Sequence, residues 1–237
     1  HSGEVVGLAS LPDFDPNHYN DVDALTRRNA AIGVNYEPGS TMKSVIVSAA
    51  LNERIVTPRT MVDAESGVWA YGGRLLNDHV RGMVDVATVI KKSSNIGAAK
   101  IALMLGNPRM QAYLKAFGFS EKLGIDLPGE ENGLLAPHRR WATVTPTRIA
   151  IGQGIAVTAL QMVNAYSTIA NGGYLLQPYV VKQVVSSAGE TLYEGKPRRI
   201  IGRPIRPEVA ATMRQLLTGV TEAGGTALRA AVENYTV

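Results

Sequence analysis

Ser40 and Lys43 stand three positions apart in the stretch YEPGSTMKSVIVSAAL, residues 36–51. In a helix, positions i and i+3 share a face about one turn apart. A serine hydroxyl is a weak nucleophile until a neighbouring base takes its proton. The face that carries Lys43 continues through Ile46, Val47 and Ala50. An ammonium held against apolar groups loses hydration, so its pKa falls and more of it can accept a proton near neutral pH. A helix N-terminus at Ser40 would also bring backbone N–H groups near a developing oxyanion. The pair suits a serine nucleophile with a lysine base. Taken alone, the commoner assignment is an ordinary N-cap at Ser40, after Pro38-Gly39, with Lys43 reaching out of the first turn into water.

A second polar group sits in KKSSNIG, residues 91–97. Ser93, Ser94 and Asn95 fall between two helical runs, where a hydroxyl and an amide could face a cleft from a rigid corner. The alternative makes Ser94 or Asn95 the N-cap of the following helix. Other polar residues carry less. His79 and His138 are not spaced as metal ligands with each other or with His1 and His18, and read as surface histidines. Asp126, Glu130 and Glu131 lie on a Pro/Gly-rich connection and read as solvated carboxylates. Gly152-Gln153-Gly154 lacks the Gly-Lys-Ser/Thr ending of a phosphate loop.

The elements that must position these groups can be read along the chain. GEVVGLAS, residues 3–10, is a short apolar run closed by the turn-rich LPDFDPN and reads as a buried strand. NAAIGVNY, residues 29–36, is a weaker strand candidate. The opening helix is expected from about Ser40 to Asn52. Residues 63–82 are glycine-rich and read as an irregular excursion with little core of its own. Helices follow at about 84–92, 96–105 and 108–117, the last stopped by Gly118. Residues 124–141 read as a long surface connection. Thr158 and Gln161 form a capping box that starts a strong helix, ended by Asn171-Gly172-Gly173. Residues 177–194 form two β-rich runs around Ala188-Gly189, hence a hairpin. Pro207 opens a last helix to about Val220, and Tyr235-Thr236-Val237 looks like the start of another strand. Strands towards both ends with helices between them indicate a mixed α/β domain.

Composition sets the outer limits. The chain has 237 residues, long enough for one large domain or two small ones, and is 45% hydrophobic, enough to fill a core. Its net charge of +4 is spread over 24 basic and 20 acidic residues, with no long basic run and few aromatics, so a nucleic-acid partner is not expected. No cysteine is present, which excludes disulfides, zinc-thiolate sites and cysteine nucleophiles and leaves the compartment open. No run of 18 apolar residues and no leader is visible, so the chain reads as soluble.

Together, the motifs say more than each does alone. YEPGSTMK, then KSSNIG, then GIDLPGEENG (residues 124–133) and IGQGIAVTALQ (residues 151–161) resemble the transpeptidase domain of class B penicillin-binding proteins, which cross-link peptidoglycan. The resemblance runs over essentially the whole chain. It implies the penicillin-binding and serine β-lactamase-like fold, a central antiparallel sheet flanked by helices, as one domain over residues 1–237. It also implies roles. Ser40 would attack the penultimate D-Ala carbonyl of a stem peptide, Lys43 would act as base, and Ser93 would relay protons to the leaving amine. Asn95 would hydrogen-bond the substrate amide and Lys43. No cofactor or metal is implied. The implied partners are peptidoglycan stem peptides, β-lactams as covalent inhibitors, and cell-division or elongation proteins. The implied location is extracytoplasmic, on the periplasmic or outer face of the membrane, through an N-terminal anchor outside this chain. GQGI would form a turn near the site.

One motif of the family, Lys-Thr-Gly or Lys-Ser-Gly, occurs nowhere in the 237 residues. In relatives it follows a stretch like AVENYTV, and its strand supplies an oxyanion-hole N–H. The expectation is therefore a domain incomplete at its last strands and terminal helix, and inactive or nearly so alone, since one lost oxyanion donor costs about 100 to 1,000-fold. The alternatives of another class are a non-catalytic division scaffold or β-lactam sensor and, less well matched, a serine β-lactamase.

Overall fold

In the computed structural model, which describes residues 2–195 and 197–235, the apolar run at residues 3–10 does not form the expected strand. It bridges a neighbour at one point, Glu4 to Tyr179 in parallel, and Val6 is 92% exposed. Pro178 precedes the bridging residue and has no N–H to extend the pairing. Residues 29–36 also depart from the strand expectation. Asn29 Oδ1 accepts from the Ala31 N–H at 3.1 Å and caps a short helix, α1 (Ala30–Gly33). Only Tyr36 bridges onward, to Val157.

A 3₁₀ turn at Gly39–Thr41 leads into α2 (Met42–Asn52), so Ser40 lies in the turn and not at the start of the α-helix. Every residue from Met42 to Leu51 is buried, as a helix that is apolar or small on all sides should be. Residues 63–82, expected to be irregular, fall instead within two nested hairpins that span residues 61–85. The outer one pairs β1 (Met61–Asp63) with β4 (Met83–Asp85), and the inner one pairs β2 (Val68–Tyr71) with β3 (Arg74–Asn77), all antiparallel. Gly72 and Gly73 join β2 to β3 at φ 56° and 76°, the two positive φ values a tight hairpin turn demands. Leu76 and Trp69 then pack against Ile96, Ala99 and Ile151 as a small core.

Three helices follow close to the expected bounds: α3 (Val86–Lys91), α4 (Asn95–Leu105) and α5 (Asn107–Ala116). The short α6 (Thr145–Ile149) follows the stretch read as connection. The next helix, α7 (Ala159–Ala170), opens on the expected capping box. Gln161 N–H donates to Thr158 Oγ1 at 3.1 Å and Thr158 N–H to Gln161 Oε1 at 2.9 Å. Gln161 Nε2 also reaches the carbonyls of Gly118, Glu121 and Asn132, tying the long connection to the helix start. Beyond it lie β5 (Leu175–Leu176), the hairpin β6 (Gln183–Val185) and β7 (Thr191–Glu194), β8 (Ile200–Gly202) and α8 (Pro207–Thr218).

The main core forms where α2 packs against α4, α5 and α8, around Met42, Ile46, Ile101, Phe117, Phe119 and Met213, all at most 1% exposed. Each such large side chain contributes roughly 1.5–3 kcal/mol by leaving water. The mixed α/β class holds. In place of one central sheet, the described residues form four two-stranded antiparallel sheets: β1–β4, β2–β3, β5–β8 and β6–β7. Register shifts interrupt β5–β8 and β6–β7, so neither pair presents a regular edge to a third strand. Tyr235 sits in a bend, while Thr236 and Val237 lie outside the described residues. No helix among the described residues is long and apolar enough to cross a membrane.

Candidate active site

The stretch that carries Ser40 is held by backbone contacts. Gly39 N–H donates to the Gly152 carbonyl at 3.2 Å, and Gly154 N–H donates to Glu37 Oε1 at 2.8 Å. Gly152 has φ 74°, and a Cβ there would overlap the Gly39 backbone, so only glycine lets the two turns approach this closely. The Gly152-Gln153-Gly154 turn is thus the support beneath the Ser40 turn. Thr41 Oγ1 donates to the Pro38 carbonyl at 2.7 Å, and the Tyr166 hydroxyl reaches the Thr41 carbonyl at 3.1 Å and Ser44 Oγ at 3.0 Å. Burial pushes the Tyr166 phenol above its ordinary pKa, so it stays a neutral donor. Ser40 itself is exposed. It makes no capping bond, so the N-cap assignment fails.

Lys43 is the opposite. It is 2% exposed and points inward, not to water. Its Nζ donates to the Ser93 carbonyl at 2.5 Å, Ser93 Oγ at 2.9 Å and Asn95 Oδ1 at 2.7 Å. Those three bonds use all three ammonium protons. Burial lowers the Lys43 pKa to about 8, and the charge of Asp78 opposes part of that fall. A lysine so placed has an appreciable neutral fraction just above neutral pH, the state in which it can accept a proton.

The Ser93–Asn95 corner serves both readings of its sequence at once. Ser94 is the N-cap of α4, its Oγ accepting from the Gly97 N–H at 3.0 Å. Ser93, at φ 54°, holds the left-handed conformation that costs a non-glycine residue about 1–3 kcal/mol. That conformation places both its carbonyl and its hydroxyl on Lys43. Asn95 spans the gap, accepting from Lys43 and donating through Nδ2 to the Asn77 carbonyl at 3.0 Å. The structure therefore brings Lys43, Ser93 and Asn95 into one network across 50 residues of chain. Ser40 lies one turn before Lys43, at the surface.

Several residues of this surround have no local sequence signal: Tyr166, Asp78 and the close approach of Gly152. Of the carboxylates read as solvated, Asp126 is exposed but bonded to backbone, and Glu130 departs from the reading. Glu130 is buried and accepts from the Leu123 and Gly124 N–H groups at 2.7 and 3.0 Å. Asp126 accepts from the Val180 and Val181 N–H groups at 2.7 and 2.8 Å. Glu131, half-exposed, pairs with Arg28 at 3.1 Å. His79 is largely exposed, and His138 meets Gln111 Oε1 at 2.7 Å. An open groove of about 780 Å³ flanks the Ser40 turn, lined by Tyr36, Thr41, Met162, Val163, Tyr166 and Leu217 among others.

The whole chain, residues 1–237, matches the family described as the penicillin binding protein transpeptidase domain. It is 35% identical over 240 residues to the stage V sporulation protein D of Bacillus subtilis, covering 100% of this chain and 37% of that protein. It is 31% identical to the probable peptidoglycan D,D-transpeptidase PenA of Neisseria flavescens, covering 100% of this chain and 56% of that protein. Among solved structures, it superposes on penicillin binding protein 3 of Mycobacterium tuberculosis complexed with ampicillin. The TM-score is 0.81 at 31% identity, over 92% of this chain and 49% of that one. The chain thus spans between about a third and somewhat over half of these proteins' lengths.

Proposed function

This chain belongs to the penicillin-binding protein transpeptidase family, and from that premise we propose that it cross-links peptidoglycan through an acyl-enzyme on Ser40. The observation that carries this reading is the buried Lys43, wired to Ser93 and Asn95 one turn from an exposed serine. Neutral Lys43 takes the Ser40 proton as Oγ attacks the carbonyl carbon of the peptide bond between the two D-alanines. The C–N bond breaks, the proton passes through Ser93 Oγ to the departing amine of terminal D-Ala, and an ester on Ser40 remains. The amine of a second stem peptide then attacks the ester, and its proton returns through the same groups to Ser40. Asn95 holds Lys43 and offers its amide to the substrate backbone.

A penicillin would acylate the same oxygen, because its strained amide presents a carbonyl to Ser40 in place of the D-Ala-D-Ala bond. That a solved relative is complexed with ampicillin supports this step. The substrate places the reaction outside the cytoplasm, at the face of the membrane where stem peptides meet, with division or elongation proteins as partners. Cell fractionation and co-purification test those two points. The chemistry is tested by incubating the full-length protein that carries this domain with a fluorescent penicillin. A stable adduct on the peptide containing Ser40, lost in Ser40→Ala, is expected. Rapid hydrolysis of the penicillin would point to a lactamase, and no adduct on a folded protein to a scaffold.

A further inference from the structure

The network around Lys43 does not end at Asn95. Asp78, on the connection from β3 to β4, has a side chain with 0% exposure, although the connection around it reaches the surface. A buried carboxylate is costly unless its oxygens are fully bonded. Here they are. Asp78 Oδ2 accepts from Ser94 Oγ at 2.5 Å and from the Ile96 N–H at 2.8 Å, and Oδ1 accepts from the Val80 N–H at 3.0 Å. The residue before it, Asn77, offers its carbonyl to Asn95 Nδ2. Two adjacent residues of the hairpin thus grip three consecutive residues, Ser94, Asn95 and Ile96, at the start of α4. On one side of this grip is Ser93 in its left-handed conformation, and on the other is the amide that holds Lys43.

We propose that Asp78 is a positioning residue of the active site: with the Asn77 carbonyl it clamps the Ser93–Asn95 corner onto Lys43 and supplies the buried ammonium's counter-charge. It acts through the corner and not on substrate. The surroundings leave few rivals for the electrostatic part. On its own helix Lys43 has the neutral Ser44, the turn before it holds the neutral Ser40, and the corner brings the neutral Ser93 and Asn95. Lys92 adjoins the corner at its exposed end, His79 lies 3.6 Å beyond Asp78 Oδ1, and Tyr166 on α7 meets Ser44 as a neutral phenol. Among the described residues, Asp78 is the charged group that acts on Lys43. The arrangement accounts for a buried lysine whose pKa falls no further than about 8, and for a strained serine that stays strained. This inference deepens the transpeptidase reading and rests on it for the word "active", but its test does not require acylation.

The test is a pH titration of the 237-residue chain labelled with ¹³C at lysine Cε, followed by NMR, with the Lys43 signal identified by its loss in Lys43→Met. The unsubstituted chain is expected to titrate at about 8. Asp78→Asn is expected to move that midpoint down by about one pH unit, the size of effect that removing one close opposite charge produces. Asp78→Glu, which keeps the charge, should return it close to the original value. Asp78→Ser provides a second charge-removing variant should Asp78→Asn fail to fold. Amide exchange at Ile96 and Gly97 should quicken about tenfold in either. A folded charge-removing variant whose Lys43 midpoint is unchanged or raised overturns the proposal, because a merely structural role would loosen the corner without moving the titration. A midpoint that falls while Ser40 takes no penicillin in the full-length protein that carries this domain keeps the clamp and removes the transpeptidase reading. The reverse result removes the clamp alone.

Discussion

The turn that carries Ser40 and the corner that carries Ser93 and Asn95 are held in opposite ways. The turn is fixed through its backbone, by Gly152 beneath Gly39 and Tyr166 on the Thr41 carbonyl, and its serine side chain is left exposed. The corner is fixed through side chains, with Ser94, Asn95, Lys43 and Asp78 all bonded. The difference teaches how one site can hold a group that must move onto substrate beside groups that must not move. A nucleophile gains from having no competing hydrogen bond, whereas a proton carrier gains from fixed distances.

The largest test of that contrast is Ser40→Ala. Penicillin acylation should fall on the order of a million-fold, as for loss of a serine nucleophile elsewhere. Unfolding free energy should stay within about 0.5 kcal/mol, because an exposed side chain without a capping role is removed. Acylation followed by mass spectrometry and a urea melt check the two halves. Next comes Ser93→Gly, which keeps the left-handed backbone without its strain but removes the hydroxyl. Acylation should drop about 100 to 10,000-fold while stability holds or rises. A parallel loss of stability would mean that the hydroxyl serves packing instead of proton transfer.

Gly152→Ala attacks the other region. A methyl group at φ 74° against the Gly39 backbone should cost about 2–3 kcal/mol or more and lower acylation with it, read by melting temperature and rate together. A stable Gly152→Ala chain with full acylation would show that the turn does not depend on this approach. Smaller still is the pH signature of Lys43. Its folded pKa lies near 8 against an ordinary 10.5. Below pH 8 both states are charged and the folded state carries the whole burial penalty. Between pH 8 and 10.5 the folded lysine loses its proton while the unfolded one keeps it, so stability rises with pH. Relative to Lys43→Met, the unsubstituted chain should gain up to about 1.4 kcal/mol per pH unit in that window, measured by denaturant melts. As a control outside both regions, Leu192→Ser on the exposed β7 hairpin should change neither acylation nor stability by more than about 0.5 kcal/mol.

What could be read from the residues follows the range of the interactions. The capping box at Thr158 and Gln161 and the helix opening at Pro207 are complete within a few residues, and both elements begin where expected. The inner hairpin is also locally signalled, by Gly72-Gly73 between VWAY and RLLN, but the same glycine richness is the mark of an irregular loop. The strand expected at residues 3–10 failed for the opposite reason, since an apolar run gives no sign of whether a partner lies alongside. The burial of Glu130 was not legible because its partners are backbone N–H groups, which composition does not display. The bond from Lys43 to Ser93 spans 50 residues, so spacing alone could not join them, and only the resemblance to a family put them side by side. Asp78 has neither a local pattern nor a quoted motif, and only the folded chain shows it.

The central claim is that Ser40 becomes acylated with Lys43 taking its proton, and the pH dependence of that acylation tests it most directly. The protein is mixed with a penicillin at pH values from 6 to 10 and the mass of the Ser40 peptide is followed in time. The account predicts a single adduct on Ser40 whose rate rises with pH to a plateau, with a midpoint near the Lys43 value of about 8, and no such rise in Lys43→Met. An adduct on another residue, or a Ser40 rate that keeps the same pH midpoint in Lys43→Met, would contradict it.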